Sequence, residues 1–179
     1  MLWRQANSIP LIGTSKANIL IDESHHARLA DFGLLTIISG TTKLAAPSSS
    51  FTHGGTYRWM SPELFAPERF GLVHSRRTER SDCYAFGMVI YEVLSGELPF
   101  FSDVDILVIA KVLDGERPER PQGPEGMWFT DDIWSVLEHC WEPVPGKRPS
   151  VPQVLRFLKR WTPPSERVCG FSWPTKSCH

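Results

Sequence analysis

The chain has 179 residues, 41% of them hydrophobic and 22% charged, with a formal net charge of −1. That is the make-up of one ordinary globular domain with enough apolar material for a core, which excludes global disorder. Lys and Arg are scattered, apart from Arg76-Arg77 and Lys159-Arg160, so neither nucleic acid nor an anionic membrane is expected as a partner.

No apolar run approaches the roughly 18–20 residues of a membrane span, and the start, MLWRQANSIPLIG, is too short and polar for a signal peptide. Cys83, Cys140, Cys169 and Cys178 lie apart with no C-x-x-C pair, which argues against zinc and against a disulfide framework. Cys83 and Cys140 fall inside helical patterns, where a thiol acts as a small buried apolar group. A reduced, cytoplasmic protein is the expectation.

In chain order, residues 1–17 show no period. Asn18 to Asp22 reads as a short strand, Glu23 to His26 as a turn, and Ala27 to Ala30 as a second strand, together a small hairpin. Residues 35–55, rich in Ser, Thr, Gly and Ala, read as a long mobile loop. From residue 61 the pattern is helical. Ser61-Pro62-Glu63 opens a short helix. Ser81-Asp82 is placed to cap a helix running to about Leu94, stopped by Gly96 and Pro99. That helix, apolar on nearly every face, is expected at the buried centre of the domain. Ser102-Asp103 caps another, with Ile106, Ile109, Ala110 and Leu113 on its apolar side. Thr130-Asp131-Asp132 starts a third, whose Ile133, Val136, Leu137, Cys140 and Trp141 form a stripe at helical spacing. Ser150 and Gln153 make a capping box, followed by Val154, Leu155, Leu158 and Trp161 on one face. The tail 162–179 is Pro- and Ser-rich and is expected to fray.

Asp31-Phe32-Gly33 follows the second strand directly. An Asp there can aim its carboxylate at a hard cation such as Mg²⁺, which takes oxygen ligands and substrate phosphates. Asn18, at the start of the partner strand, offers a second oxygen. Taken alone, the tripeptide reads more readily as a turn with an N-terminal Asp. It is followed, however, by GTYRWMSPE at 55–63, SDCYAFG at 81–87, LPF at 98–100, and Cys140-Trp141 with Lys147-Arg148-Pro149-Ser150.

The order and spacing of these blocks resemble the C-terminal lobe of eukaryotic protein kinases, and their wording is similar to the tyrosine-kinase-like group, most of whose active members phosphorylate Ser or Thr. The resemblance covers about residues 16–161. It implies a mainly α fold within an α+β family: a kinase-like C-lobe with a small β-hairpin and a buried central helix. Residues 1–15 match nothing. By the resemblance, Asp31 and Asn18 bind the Mg²⁺ ions that bridge the phosphates of ATP. Residues 34–60 stand for the activation loop, and Thr56 for the threonine that positions substrate. Ser61-Pro62-Glu63 replaces the family's A-P-E. Glu63 pairs with Arg148 to anchor the segment, Asp82 holds the catalytic loop, and Cys83, Phe86 and Trp141 are core. Thr41, Thr42, Ser48, Ser49, Ser50 and Thr52 are candidate phosphosites; solvated linker chemistry is the simpler reading, because no arginine beside the catalytic loop is left to receive a phosphate.

The departures matter as much. Counting back from Asn18, Gly13 takes the place of the catalytic aspartate of H-R-D-L-K-x-x-N, and Leu11 and Ile12 take those of His and Arg. Glycine can neither orient a hydroxyl nor accept its proton. Seventeen residues before Asn18 leave no room for a kinase N-lobe. The expectation is therefore a partial kinase domain whose family chemistry is Mg-ATP-dependent phosphorylation of protein, with this chain inactive as written. The alternatives are a non-catalytic, pseudokinase-like module that binds a protein partner, and a degenerate truncated product.

Overall fold

A computed structural model describes residues 19–24, 26–29 and 56–161. The 1–15 segment, Asn18, Asp31, the 35–55 loop with its candidate phosphosites, and the 162–179 tail lie outside the described residues.

Strands β1 (Ile19–Ile21) and β2 (Ala27–Leu29) pair antiparallel, with Ile19 opposite Leu29. Asp22 closes their turn. Its carboxylate accepts the backbone N–H of Ser24 at 3.0 Å and of His26 at 2.9 Å, and the Arg28 Nε–H at 2.8 Å. These donors hold the Asp22 carboxyl below its usual range, the His26 amide most of all.

The rest is helical. A 3₁₀ turn (Thr56–Trp59) leads into α1 (Pro62–Phe65), followed by α2 (Glu79–Ser95), α3 (Asp105–Leu113), α4 (Asp131–Cys140) and α5 (Val151–Leu158). Shorter 3₁₀ turns at Glu125–Trp128 and Pro145–Lys147 flank α4. This mainly α architecture is that of a kinase-like C-lobe.

α2 starts two residues earlier than its expected cap. Thr78 is the N-cap, its hydroxyl accepting from Ser81 N while the Ser81 side chain accepts from Thr78 N. Ser81 is thus the reciprocal partner inside the helix rather than the cap. Gly96 ends α2 in the left-handed region at φ +76. α4 and α5 follow their sequence signals. Thr130 caps α4, and Ser150 with Gln153 forms the box that opens α5.

α2 is the centre of the body and packs chiefly on α4, with the turns at 56–59, 125–128 and 145–147 beside it. Cys83, Tyr84, Met88 and Val89 are buried from α2, and Ile133, Leu137, Cys140 and Trp141 from the α4 region. Gly87 lets the two approach: a Cβ there would lie 2.7 Å from Trp141 Nε1 and 2.9 Å from Cys140 Cβ. Around this contact Tyr91, Phe129, Trp134 and Trp141 pack ring to ring at 5.5–6.1 Å.

α2 is the buried central helix that its apolar pattern implies, with Phe86 and Ile90 half-buried against the core and Val93 exposed near its C-terminal end. The apolar face expected of α3 needs correction. On α3 the buried residues are Val108 and Val112, whereas Ile106 is 74% exposed and Ala110 is exposed too. The helix turns a different apolar face inward because apolar residues occur all round it. Its N-cap is Val104, with no side-chain cap from Ser102 or Asp103.

Candidate functional site

The best-defined polar site joins residues far apart in sequence. Ser61 and Pro62 bring Glu63 into the first turn of α1, where it is buried. Arg148 follows the 145–147 turn in extended conformation. The two meet in a bidentate pair: Arg148 Nη1 donates to Glu63 Oε1 and Nη2 to Oε2, both at 2.7 Å. Their side chains are 0% and 3% exposed, so both charges have left water.

Such a pair is tolerable only if every remaining donor is satisfied. Here they are. Arg148 Nε donates to Glu142 O at 2.8 Å, Nη1 also to Arg80 O at 2.9 Å, and Nη2 also to Pro143 O at 3.3 Å. All five N–H groups of the guanidinium are engaged. Arg80 answers by donating to the Arg148 carbonyl. The ring of Tyr84 lies between Arg148 and Arg117, whose guanidinium carbons sit 5.1 and 5.2 Å from its centroid. Burial pushes the Tyr84 phenol up to about 12.

A second arginine ties the 56–59 turn to the approach to α3. Arg58 Nη1 donates to Pro99 O at 3.0 Å and Phe100 O at 2.5 Å. Its Nη2 donates to Asp103 O at 2.6 Å and pairs with Asp105 at 3.1 Å. Those carbonyls converge because Phe100 takes φ +55, an uncommon conformation for a residue with a Cβ. Next to Arg58, Trp59 Nε1 donates to buried Glu92 at 3.1 Å.

The structure therefore brings together Ser61, Pro62, Glu63 and Arg148. Thr56 opens the 3₁₀ turn. Asp82 lies half-buried in the first turns of α2, and the loop it is expected to hold lies outside the described residues. Gly13, Asn18 and Asp31 lie outside them as well. Among the described residues no group of three or more His, Cys, Asp or Glu is placed to hold a metal ion. No described helix is long and apolar enough to cross a membrane. Sequence reasoning gave no role to Arg58, Tyr84 or Arg117. Arg58 stands inside the GTYRWMSPE block, which was the one available signal; its partners are mainly backbone carbonyls, which leave no mark in a sequence.

What these residues build is an anchor: a buried ion pair and a wired turn that fix the 56–63 segment onto a helical body. That is the arrangement of a protein-kinase C-lobe. The chain belongs to the protein tyrosine and serine/threonine kinase family, whose family model matches residues 14–158. It is 30% identical over 142 residues to "Probable serine/threonine-protein kinase drkD" of Dictyostelium discoideum, covering 79% of this chain and 10% of that protein. It is 28% identical over 161 residues to serine/threonine-protein kinase STY17 of Arabidopsis thaliana, covering 89% of this chain and 25% of that one. A third relative, the RGS domain-containing serine/threonine-protein kinase A of Dictyostelium discoideum, is 26% identical over 148 residues, 83% of this chain and 12% of the relative. The chain thus spans a quarter or less of these curated relatives.

Proposed function

We propose that residues 16–161 are the C-lobe portion of a Ser/Thr-directed protein kinase domain of the tyrosine-kinase-like group, acting in signalling in the cytoplasm. The observation that carries this reading is the bidentate Glu63–Arg148 pair, which joins the S-P-E segment to the K-R-P-S block across 85 positions. Holding that segment still is what a kinase needs to present a substrate hydroxyl, since phosphoryl transfer is mostly positioning and charge stabilisation. Asn18 and Asp31 supply an amide oxygen and a carboxylate, the hard donors that Mg²⁺ favours, and so suit the Mg-ATP the family uses. The pairing of Ile19 with Leu29 supports this assignment, since these are the described residues nearest Asn18 and Asp31 in sequence.

Gly13 at the base position leaves no group to take the proton of an attacking hydroxyl. The 179-residue chain is therefore expected to be catalytically silent. The test is transfer of labelled phosphate from Mg-ATP to a protein substrate by the purified chain; transfer that is abolished by Asp31→Ala would refute silence. A second reading, a non-catalytic module that binds a protein, is favoured by the exposed apolar side chains Phe101, Val104 and Ile106 at the start of α3. Mg-ATP separates the two. In a chain that also carries a kinase N-lobe, a thermal shift with Mg-ATP that Asp31→Ala removes supports the kinase reading, and no shift supports the module.

A further inference from the structure

α4 ends at Cys140, the chain reverses through the 145–147 turn, and the Ser150–Gln153 box opens α5. The reversal leaves a cavity of about 460 Å³ lined by the last turns of α4, the first turns of α5, and Arg80 from the first turn of α2. That volume lies within the roughly 300–1,000 Å³ of small-molecule sites. Gly146 belongs to the lining, and a Cβ there would meet nothing within 4 Å, so the turn itself leaves the space open.

The lining has two chemical halves. Val136 of α4 and Val154 and Phe157 of α5 give apolar surface continuous with the core. Opposite in character, Arg80 and Lys147 give positive charge, and none of the ten lining residues is Asp or Glu. Carboxylates that could neutralise this charge are spent elsewhere: Glu63 pairs with Arg148, and Glu138 accepts the Trp134 Nε1–H at 3.0 Å. The donors of the lining are not spent. Among the described residues Lys147 Nζ has no partner, and Arg80 uses only Nη1, on the Arg148 carbonyl. Gln153 Oε1 accepts from Ser150 N and Oγ at 2.7 and 2.8 Å, which fixes its amide and leaves the Nε2 hydrogens over.

We propose that this cavity binds a small amphipathic carboxylate, its anionic head held by Lys147, Arg80 and the Gln153 amide, its aryl or alkyl body laid on Val136, Val154 and Phe157. Both halves of such a ligand are needed. A bare anion leaves the apolar wall wet, and a neutral hydrocarbon covers the donors without replacing their water. A free acid and the carboxyl terminus of a peptide ending in Phe carry this same chemistry. The inference rests on the cavity and goes beyond the kinase reading.

The experiment titrates the ¹⁵N-labelled 179-residue chain with 4-phenylbutyrate, 4-phenylbutanol, inorganic phosphate and N-acetylated Gly-Gly-Gly-Phe, following backbone amide shifts by NMR. Saturable shifts from 4-phenylbutyrate are expected at the lining residues of α4, the turn and α5, with binding about tenfold tighter than that of the alcohol or of phosphate. Lys147→Glu alters an exposed side chain, and Gln153→Glu keeps the capping box while exchanging the amide for a charge. Each is expected to weaken 4-phenylbutyrate about fivefold or more, with the rest of the spectrum unchanged. Tighter binding of the peptide than of 4-phenylbutyrate assigns the site to a chain terminus, and weaker binding to a free acid; either upholds the inference. It is overturned if the alcohol binds as tightly as the acid, which makes the cavity merely apolar, or if phosphate does, which makes it merely cationic. Unchanged affinity in both variants, or no shift at the lining residues, overturns it as well. No step involves ATP, so its failure is distinct from failure of the kinase reading.

Discussion

Two arginines organise this molecule in opposite settings. Arg148 is fully buried, meets a carboxylate, and has every N–H engaged. Arg58, its side chain 11% exposed, meets mainly backbone carbonyls and borders a stretch where Phe101 and Val104 face solvent. The first fixes where a segment joins the body. The second fixes the shape of one turn. A buried charge must be matched completely, so its loss is global; a clamp on one turn can fail while the core persists.

The contrast is sharpest at Arg148. Arg148→Ala leaves Glu63 charged and buried without its partner, and is expected to lower stability by about 3–5 kcal/mol in urea unfolding. A loss under about 1 kcal/mol, the range of exposed pairs, would erase the distinction between the two sites. Arg58→Ala comes next. It frees the Pro99 and Phe100 carbonyls and lets Phe100 leave its positive φ. Faster hydrogen exchange confined to residues about 99–105 is expected, with the protection of α2 and α4 retained. Uniform loss of protection would make Arg58 a core residue in energetic terms.

Tyr84 sharpens the comparison through pH. Its folded pKa is raised from 10.0 to about 12, by burial first, with Arg117 and Arg148 opposing and Glu63 assisting. The folded state then holds a proton that the unfolded state releases. Stability is unaffected below about pH 10 and falls as pH rises from about 10 to about 12, by about 2–3 kcal/mol. Tyr84→Phe is expected to flatten that decline, leaving the part that comes from Tyr91, whose pKa burial also raises. An unchanged slope would place the titration elsewhere. The smallest effect belongs to Ser61. Its hydroxyl is buried and has no hydrogen-bond partner among the described residues. Ser61→Ala is expected to be neutral or to stabilise by up to about 1 kcal/mol, and a clear drop in Tm would reveal a partner for that oxygen.

Legibility in the sequence followed the range of the forces involved. α4 and α5 could be read because their caps and stripes are local: Thr130 lies beside Ile133, and Ser150 beside Gln153. α2 was legible as a helix, but its start was not, since Thr78 and Ser81 can each cap and only geometry assigns them. The inward face of α3 was misread because periodicity assumes a polar outside, and Ile106 breaks that assumption. The partnership of Glu63 with Arg148 came only from resemblance to kinases; no spacing rule reaches so far. The close approach of α2 to the end of α4 at Gly87 and Cys140 left no signal, because it depends on a missing side chain rather than on a pattern.

The span of the Glu63–Arg148 pair also has a kinetic meaning. Its partners are 85 positions apart, so closing it requires most of the helical body to be assembled first. α4 and α5 can form from local contacts long before it does. A bond made after the folding barrier contributes to lifetime and little to folding speed. Glu63→Gln should therefore leave the refolding limb of a chevron almost in place and raise the unfolding limb, with a φ-value near zero. In that case the anchor is a latch, closed last and opened first.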